Sequence, residues 1–136
     1  MNNNSEQKNT PEFILFDAKG EILGRLAVKI AKVLSGKSQV DFEPRIGGRD
    51  WAIIINSDKV RLTGDKENKK IYWRHTGFPG GIYQATFKEM MEKDSTLVIK
   101  KAVKGMLPKN KLSVEALKRL RVFKGEENPY QDKIKK

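Results

Sequence analysis

The sequence predicts an α/β fold, a three-layer α/β/α arrangement with a mainly parallel small sheet plus helical and loop extensions, and three observations carry that expectation. Phe13-Ile14-Leu15-Phe16 is a short apolar run ended by Asp17 and a turn at Lys19-Gly20. Leu23, Leu26, Ala27, Ile30, Val33 and Leu34 then recur at helical spacing, with Arg25, Lys29 and Lys32 on another face. Trp51-Ala52-Ile53-Ile54-Ile55 is apolar without alternation and rich in β-branched residues, the pattern of a strand covered on both faces. Strand, helix and buried strand in that order imply a right-handed crossover between parallel strands, with the helix packed on the sheet.

Each element has a local cause. The first run is short and bounded by turn residues, so it reads as a buried strand rather than a helix. The helix is expected to stop at Ser35-Gly36, because a glycine after the last periodic residue accepts the left-handed cap conformation. Val60 to Thr63 and Ile71 to Thr76 read as further extended segments, separated by a turn at Gly64-Asp65. Thr86-Phe87-Lys88-Glu89 has the capping-box pattern and predicts a helix to about Lys93. Ser95 is the expected cap of another helix through Lys104, with Val98, Ile99, Ala102 and Val103 inward, Lys100, Lys101 and Lys104 outward, and Gly105 as its stop. Pro108 forbids simple continuation, since it lacks an amide donor and restricts Leu107. A last helix over Ser113 to Leu120 and a short Val122-Phe123 segment follow. The expected organisation is a disordered tail over 1–12, a single α/β domain over 13–124 with a basic C-terminal half, and a tail over 125–136.

At 136 residues the chain is one domain long. A composition of 38% hydrophobic and 33% charged residues permits a core and loads the surface with charge, which argues against disorder throughout. Lys and Arg number 28 against 17 Asp and Glu, and the net charge of +11 favours a polyanionic partner through counterion release. That charge is concentrated: residues 1–68 carry net +1, residues 69–124 net +10 and residues 125–136 net zero. The absence of cysteine excludes disulfides and thiolate sites, and a single histidine, His75, cannot complete a zinc site. No metal or other cofactor is expected. The apolar runs fall far short of the ~20 residues that span a bilayer. The polar, Asn-rich Met1 to Thr10 stretch matches neither a secretory signal nor a transit sequence. An intracellular, cytoplasmic protein with no membrane partner is expected.

Three motifs invite sharper functions, and each has a simpler explanation. Ser35-Gly36-Lys37-Ser38 resembles the end of a phosphate-binding loop, but the first glycine it requires is replaced by Ala31 and the segment closes a helix instead of opening one. A helix cap followed by a basic loop accounts for it, with Lys37 a candidate phosphate contact. Gly77-Phe78-Pro79-Gly80 has the spacing of a KH-domain clamp, which needs a helix on each side, whereas these flanks read extended. The wider Arg74-His75-Thr76-Gly77-Phe78-Pro79-Gly80-Gly81 is either a Pro-Gly turn or a loop whose bare backbone approaches an anionic ligand. Tyr72 and Trp73 beside it offer rings on which bases stack, though Trp73 also suits a core. His75 has no triad or carboxylate partner in sequence, so a structural or RNA-contacting donor is expected rather than a catalytic base. The strongest signal is the run Lys100, Lys101, Lys104, Lys109, Lys111, Lys118, Arg119, Arg121 and Lys124, interrupted by a single acid, Glu115. Lysines on a helix usually need only solvent, but this density points to phosphates.

Several blocks resemble one known family. Gly105-Met106-Leu107-Pro108-Lys109-Asn110-Lys111-Leu112 is similar to a segment of the thirteenth protein of the large ribosomal subunit in its bacterial form. Leu23-Gly24-Arg25-Leu26-Ala27, Leu62-Thr63-Gly64-Asp65-Lys66, Tyr72 to Gly81 and Lys101-Ala102-Val103-Lys104 match in order and spacing, so the resemblance covers Phe13 to Phe123. It implies a structural, non-enzymatic ribosomal component embedded in 23S-type large-subunit ribosomal RNA, acting early in subunit assembly and seated by neighbouring large-subunit proteins. Messenger RNA is a secondary expected partner. Carried over by position, Arg25, Lys29, Arg74, His75, Gly77, Gly80, Gly81 and the stretch Lys104 to Lys111, with Lys109, Asn110 and Lys111, face RNA. The sequence departs from the family pattern at Arg45 to Asp50, at Ser113-Val114-Glu115 and at Glu126 to Tyr130, so contacts there are less transferable. A free-standing RNA regulator would use the same basic surface, and a nucleotide-dependent enzyme would need the glycine missing at Ala31.

Overall fold

The centre of the structure is Trp51–Ile55 (β2), which pairs in parallel with Phe13–Asp17 (β1) on one side and Leu120–Val122 (β5) on the other. A computed structural model describes residues 11–37, 47–64 and 69–134. The expected N-terminal tail and the turn at Asp65 fall wholly or largely outside these residues, as do Ser38, Arg45, Ile46 and Lys66. In register, Phe13 faces Trp51, Ile14 faces Ala52, and Ala52 faces Leu120.

Leu23–Ser35 (α1) connects β1 to β2 and buries every apolar residue that the periodicity assigns to its inner face. Its start has no side-chain cap; the Leu23 amide donates to the Arg61 carbonyl at 2.9 Å, and the Arg61 amide to Glu21 at 3.1 Å. This bridge is all that remains of the extended segment expected over Val60 to Thr63. Ser57–Lys59 form a short 3-10 turn before it. Asn56 enters that turn at φ 57°, a left-handed conformation Asn tolerates, with its side-chain amide donating to Asp17 at 3.0 Å. Gly36 closes α1 at φ +82°, as expected of a glycine there, so Ser35-Gly36-Lys37 ends a helix and forms no phosphate loop.

Ile71–His75 (β3) and Ile82–Thr86 (β4) make a separate antiparallel hairpin, with Arg74 opposite Tyr83 and Tyr72 opposite Ala85. Phe87–Met106 (α2) begins at once from β4, and Thr86 with Glu89 closes the expected capping box. Three boundaries differ from expectation. The break inside α2 is at Asp94, whose φ of −162° leaves the helix and whose carboxylate caps the second half through the Thr96 amide (3.0 Å) and hydroxyl (2.6 Å). Ser95, the expected cap, points inward and bonds the buried Ser57 hydroxyl at 2.8 Å. Nor does Gly105 stop the helix; it ends one turn-position later, where Pro108 forces Leu107 to an extended conformation. Lys111–Lys118 (α3) starts two residues before the expected Ser113, because Asn110 and Ser113 cap it reciprocally.

The core lies between these three helices and one face of the sheet. Ala52, Ile54 and Leu120 from the sheet meet Leu26, Ile30, Val98, Ile99, Val103 and Ala116 from the helices. Side chains alternate across a strand, so Ile53, fully buried, faces the other way. Among the described residues a C-terminal strap rather than a helix packs on the Phe13–Trp51 end of that second face, where Leu15 stays 42% exposed. Tyr130 stacks on Phe13 at 5.8 Å between centroids and tilts against Trp51 and Phe123, while Ile134 bridges to Phe13. The α/β class with a parallel sheet is as expected; where a second helical layer was expected, an aromatic strap packs on part of the face.

Candidate nucleic-acid interface

Gly36 sits against Gly48 so tightly that a Cβ added to Gly48 would lie 2.6 Å from the Leu34 carbonyl oxygen. Arg119 fastens the same junction. Its two terminal nitrogens donate to the Asp50 carbonyl at 2.9 Å and the Leu34 carbonyl at 2.8 Å. Burial is the main influence lowering its pKa, opposed by Asp50 and Glu115. Of the cations expected to meet RNA, Arg119 is therefore the one engaged inside the fold, bracing α1 to β2 with the donors that a phosphate would need. Charge counting cannot see this, because a brace and a contact use the same side chain.

The remaining cations are exposed, though the Arg121 guanidinium lies 5.5 Å from the Trp51 ring centroid. Lys100, Lys101 and Lys104 follow one another along the exposed face of α2, and Lys109 and Lys111 flank Asn110 at the start of α3. The turn at Leu107-Pro108 swings α3 back beside α2, which brings Lys101, Lys104, Lys109, Asn110 and Lys111 around one groove. Lys100 and Arg121 join Lys101 and Lys104 in the adjoining hollow. Among the described residues, neither wall contains an Asp or Glu. Lysines gathered in this way repel one another over a Debye length of about 8–10 Å, and an oligoanion relieves that repulsion. Asn110 has a structural task as well, since its side-chain oxygen accepts the Ser113 amide at 3.0 Å.

The hairpin carries the second group. Its base is anchored, because Tyr72 and Ala85 pack against the core. Its outer half is bare: Trp73 is 64% exposed, Tyr83 59% and Phe78, at the tip, 74%. Arg74 lies 5.7 Å from the Tyr83 ring centroid, a cation held flat over an aromatic face. Thr76 and Gly81 close the loop, with the Thr76 amide donating to the Gly81 carbonyl at 2.8 Å. His75 helps to build it, its Nδ1 accepting the Gly77 amide at 2.9 Å. Gly77 at φ +89° and Gly80 at φ +75° hold conformations that disfavour side chains. The segment between Gly77 and Gly80 thus belongs to a strand-flanked turn and lacks the flanking helices of a KH clamp.

Arg25 and Lys29 are exposed on α1, where Lys29 stands 3.9 Å from Glu21, and Lys37 lies just beyond the helix end. Lys118 is exposed at the end of α3. Lys70, not singled out from the sequence, joins the site. Lys70 lies 5.4 Å and Lys101 5.2 Å from the ring of Tyr72, which ties the hairpin to the α2 lysines. The Tyr72 hydroxyl is buried without a hydrogen-bond partner, and burial raises its pKa. Lys70 could have been found from its place two residues before Tyr72, a spacing that shares one side of an extended chain. Among the described residues there is no cluster of three or more His, Cys, Asp or Glu able to hold a metal, and no helix long and apolar enough to cross a membrane.

Comparison with known proteins bears on the whole chain. Residues 11–129 match the family model described as ribosomal protein L13. The large ribosomal subunit protein uL13 of Herpetosiphon aurantiacus is 44% identical over 119 residues, covering 88% of this chain and 83% of that protein. That of Geobacter sulfurreducens is 43% identical over 126 residues, covering 93% and 88%, and that of a Nocardioides species 46% identical over 120 residues, covering 88% and 82%.

Proposed function

The chain belongs to the ribosomal protein L13 family, and from that premise we propose that it is a structural constituent of the large ribosomal subunit, holding 23S-type ribosomal RNA through its basic surface and supporting early subunit assembly and translation. The observation that carries the physical side is the set of lysines around the α2–α3 groove, with no acid among the described residues that line it. A surface of this kind has no use for itself in water, and its positive potential matches a phosphate backbone. The aromatic hairpin extends the surface, because unpaired bases stack on rings and phosphates pair with the neighbouring cations.

The role is read as positional and not catalytic. His75 uses Nδ1 in the loop, and among the described residues no nucleophile or carboxylate is bonded to it. Neighbouring large-subunit proteins complete its seating, and contact with messenger RNA is a secondary part of the proposal. Density-gradient fractionation tests it: the protein should co-sediment with large subunits, and its depletion should leave incomplete large-subunit precursors. A cellular pool lying wholly outside the large subunit would overturn it. If about six cations meet phosphates, RNA binding should fall with salt at a log–log slope of roughly −4 to −5.

A further inference from the structure

We propose that the groove between α2 and α3 seats a single unpaired nucleotide of the ribosomal RNA, its base on an apolar floor and its flanking phosphates on a lysine rim. This rests on the ribosomal-RNA function above and adds which part of the RNA is held.

The groove encloses about 710 Å³, and its floor is made by Gly105, Pro108, Val114 and Leu117. Val114 is 57% exposed, although its helix neighbours Ala116 and Leu117 turn toward the core. The rim is Lys101, Lys104, Lys109 and Lys111. A double-stranded RNA partner offers phosphates and ribose hydroxyls and keeps its bases stacked inside, so it would leave this floor facing water or sugar. An unpaired nucleotide has the matching composition: a flat face of low polarity between two charged ends. The Asn110 side chain adds a fixed donor at the mouth. Its oxygen is held by the Ser113 amide at 3.0 Å, and its nitrogen has no partner among the described residues, leaving it to meet an acceptor on a base edge. The site also holds its shape before binding, since Pro108 fixes the turn and the Asn110–Ser113 box fixes the start of α3. An acidic peptide would suit the lysines equally, and the crosslinking arm below separates it from RNA.

The test separates floor from rim in the full-length protein. Binding to a 23S-type ribosomal RNA transcript is measured across salt, and a p-benzoylphenylalanine placed at position 114 is photolysed in assembled large subunits. V114Q should weaken binding roughly fivefold at every salt concentration, as expected for losing on the order of 40 Å² of apolar contact, with the salt slope unchanged. K104Q should instead make the slope shallower by about 0.7–0.9. The photoproduct should map to one nucleotide that is unpaired in the subunit. Parent-like binding by V114Q alongside a changed slope for K104Q would sink the nucleotide seat and leave the ribosomal function standing, as would a crosslink to paired nucleotides or to protein. Absence of the chain from large subunits would remove both.

Discussion

Replacing Arg119 by methionine separates a brace from an RNA contact. Methionine keeps much of the aliphatic stem and removes both donors, which leaves the carbonyls of Leu34 and Asp50 without the bonds now measured at 2.8 and 2.9 Å. A hydrogen bond from a charged group contributes about 1.5–3 kcal/mol in mutational series. The site is only half-buried, so water recovers part of the loss and the expected destabilisation is about 2–4 kcal/mol for the pair. For 136 residues the unfolding entropy makes each kcal/mol worth about 3–4 °C, so Tm should fall by about 7–14 °C. R119K should recover little, because an ammonium cannot present two parallel donors to two fixed carbonyls. Thermal unfolding by circular dichroism gives Tm, and RNA titration over salt gives the slope, which R119M should leave unchanged. A Tm within 2 °C of the parent, together with a slope shallower by about 0.8, would refute the brace and return Arg119 to the RNA-facing set.

Other perturbations probe different joints. G48A should cost about 1–3 kcal/mol through forced separation of Gly36 and Gly48, read as a lower urea midpoint with unchanged m-value; an unperturbed midpoint would mean the two backbones are not pressed together. S95A should cost about 1–3 kcal/mol by leaving the Ser57 hydroxyl buried and unpaired, whereas the S57A/S95A double variant should be less destabilised than the sum of the singles. Asp17, held by Asn56 and the Lys19 amide, and Asp94, held by Thr96, both titrate below the usual 3.8. Their contribution to stability is therefore full above that value and lost as pH falls through the lower folded values. Urea unfolding between pH 6 and 2.5 should show this acid loss, and it should be flatter for D17N and D94N; identical profiles for parent and variants would contradict it.

Much of the architecture was legible because its causes are local. The α1 periodicity ends in a glycine that accepts a left-handed cap, and the Thr86–Glu89 box announces its helix within four residues. What escaped was decided by competition between neighbours. Asp94, Ser95 and Thr96 are all capable of capping, and the burial demand of Ser57 took Ser95 away, leaving Asp94 to break the helix. Gly105 could have stopped α2, but Pro108 dictates the conformation only from Leu107 onward. Residues 82–86 form β4 with no linker before α2, so the usual boundary signals are missing; its pairing with Ile71–His75 comes from the intervening loop. At the interface, the cationic run was visible as composition. The grouping of its members around one groove was not, because it depends on the angle that Leu107-Pro108 sets between two helices.

The strand order also sets a timetable. The middle strand of the sheet gets its second neighbour only when residues 120–122 have been made, and Trp51 on its far face meets Tyr130 later still. During synthesis, at about 5–20 residues per second, most of the chain emerges before the sheet can close, with Ile53 still open to water. A chain cut short by some fifteen residues would thus carry the lysine groove beside a sheet whose third strand is incomplete.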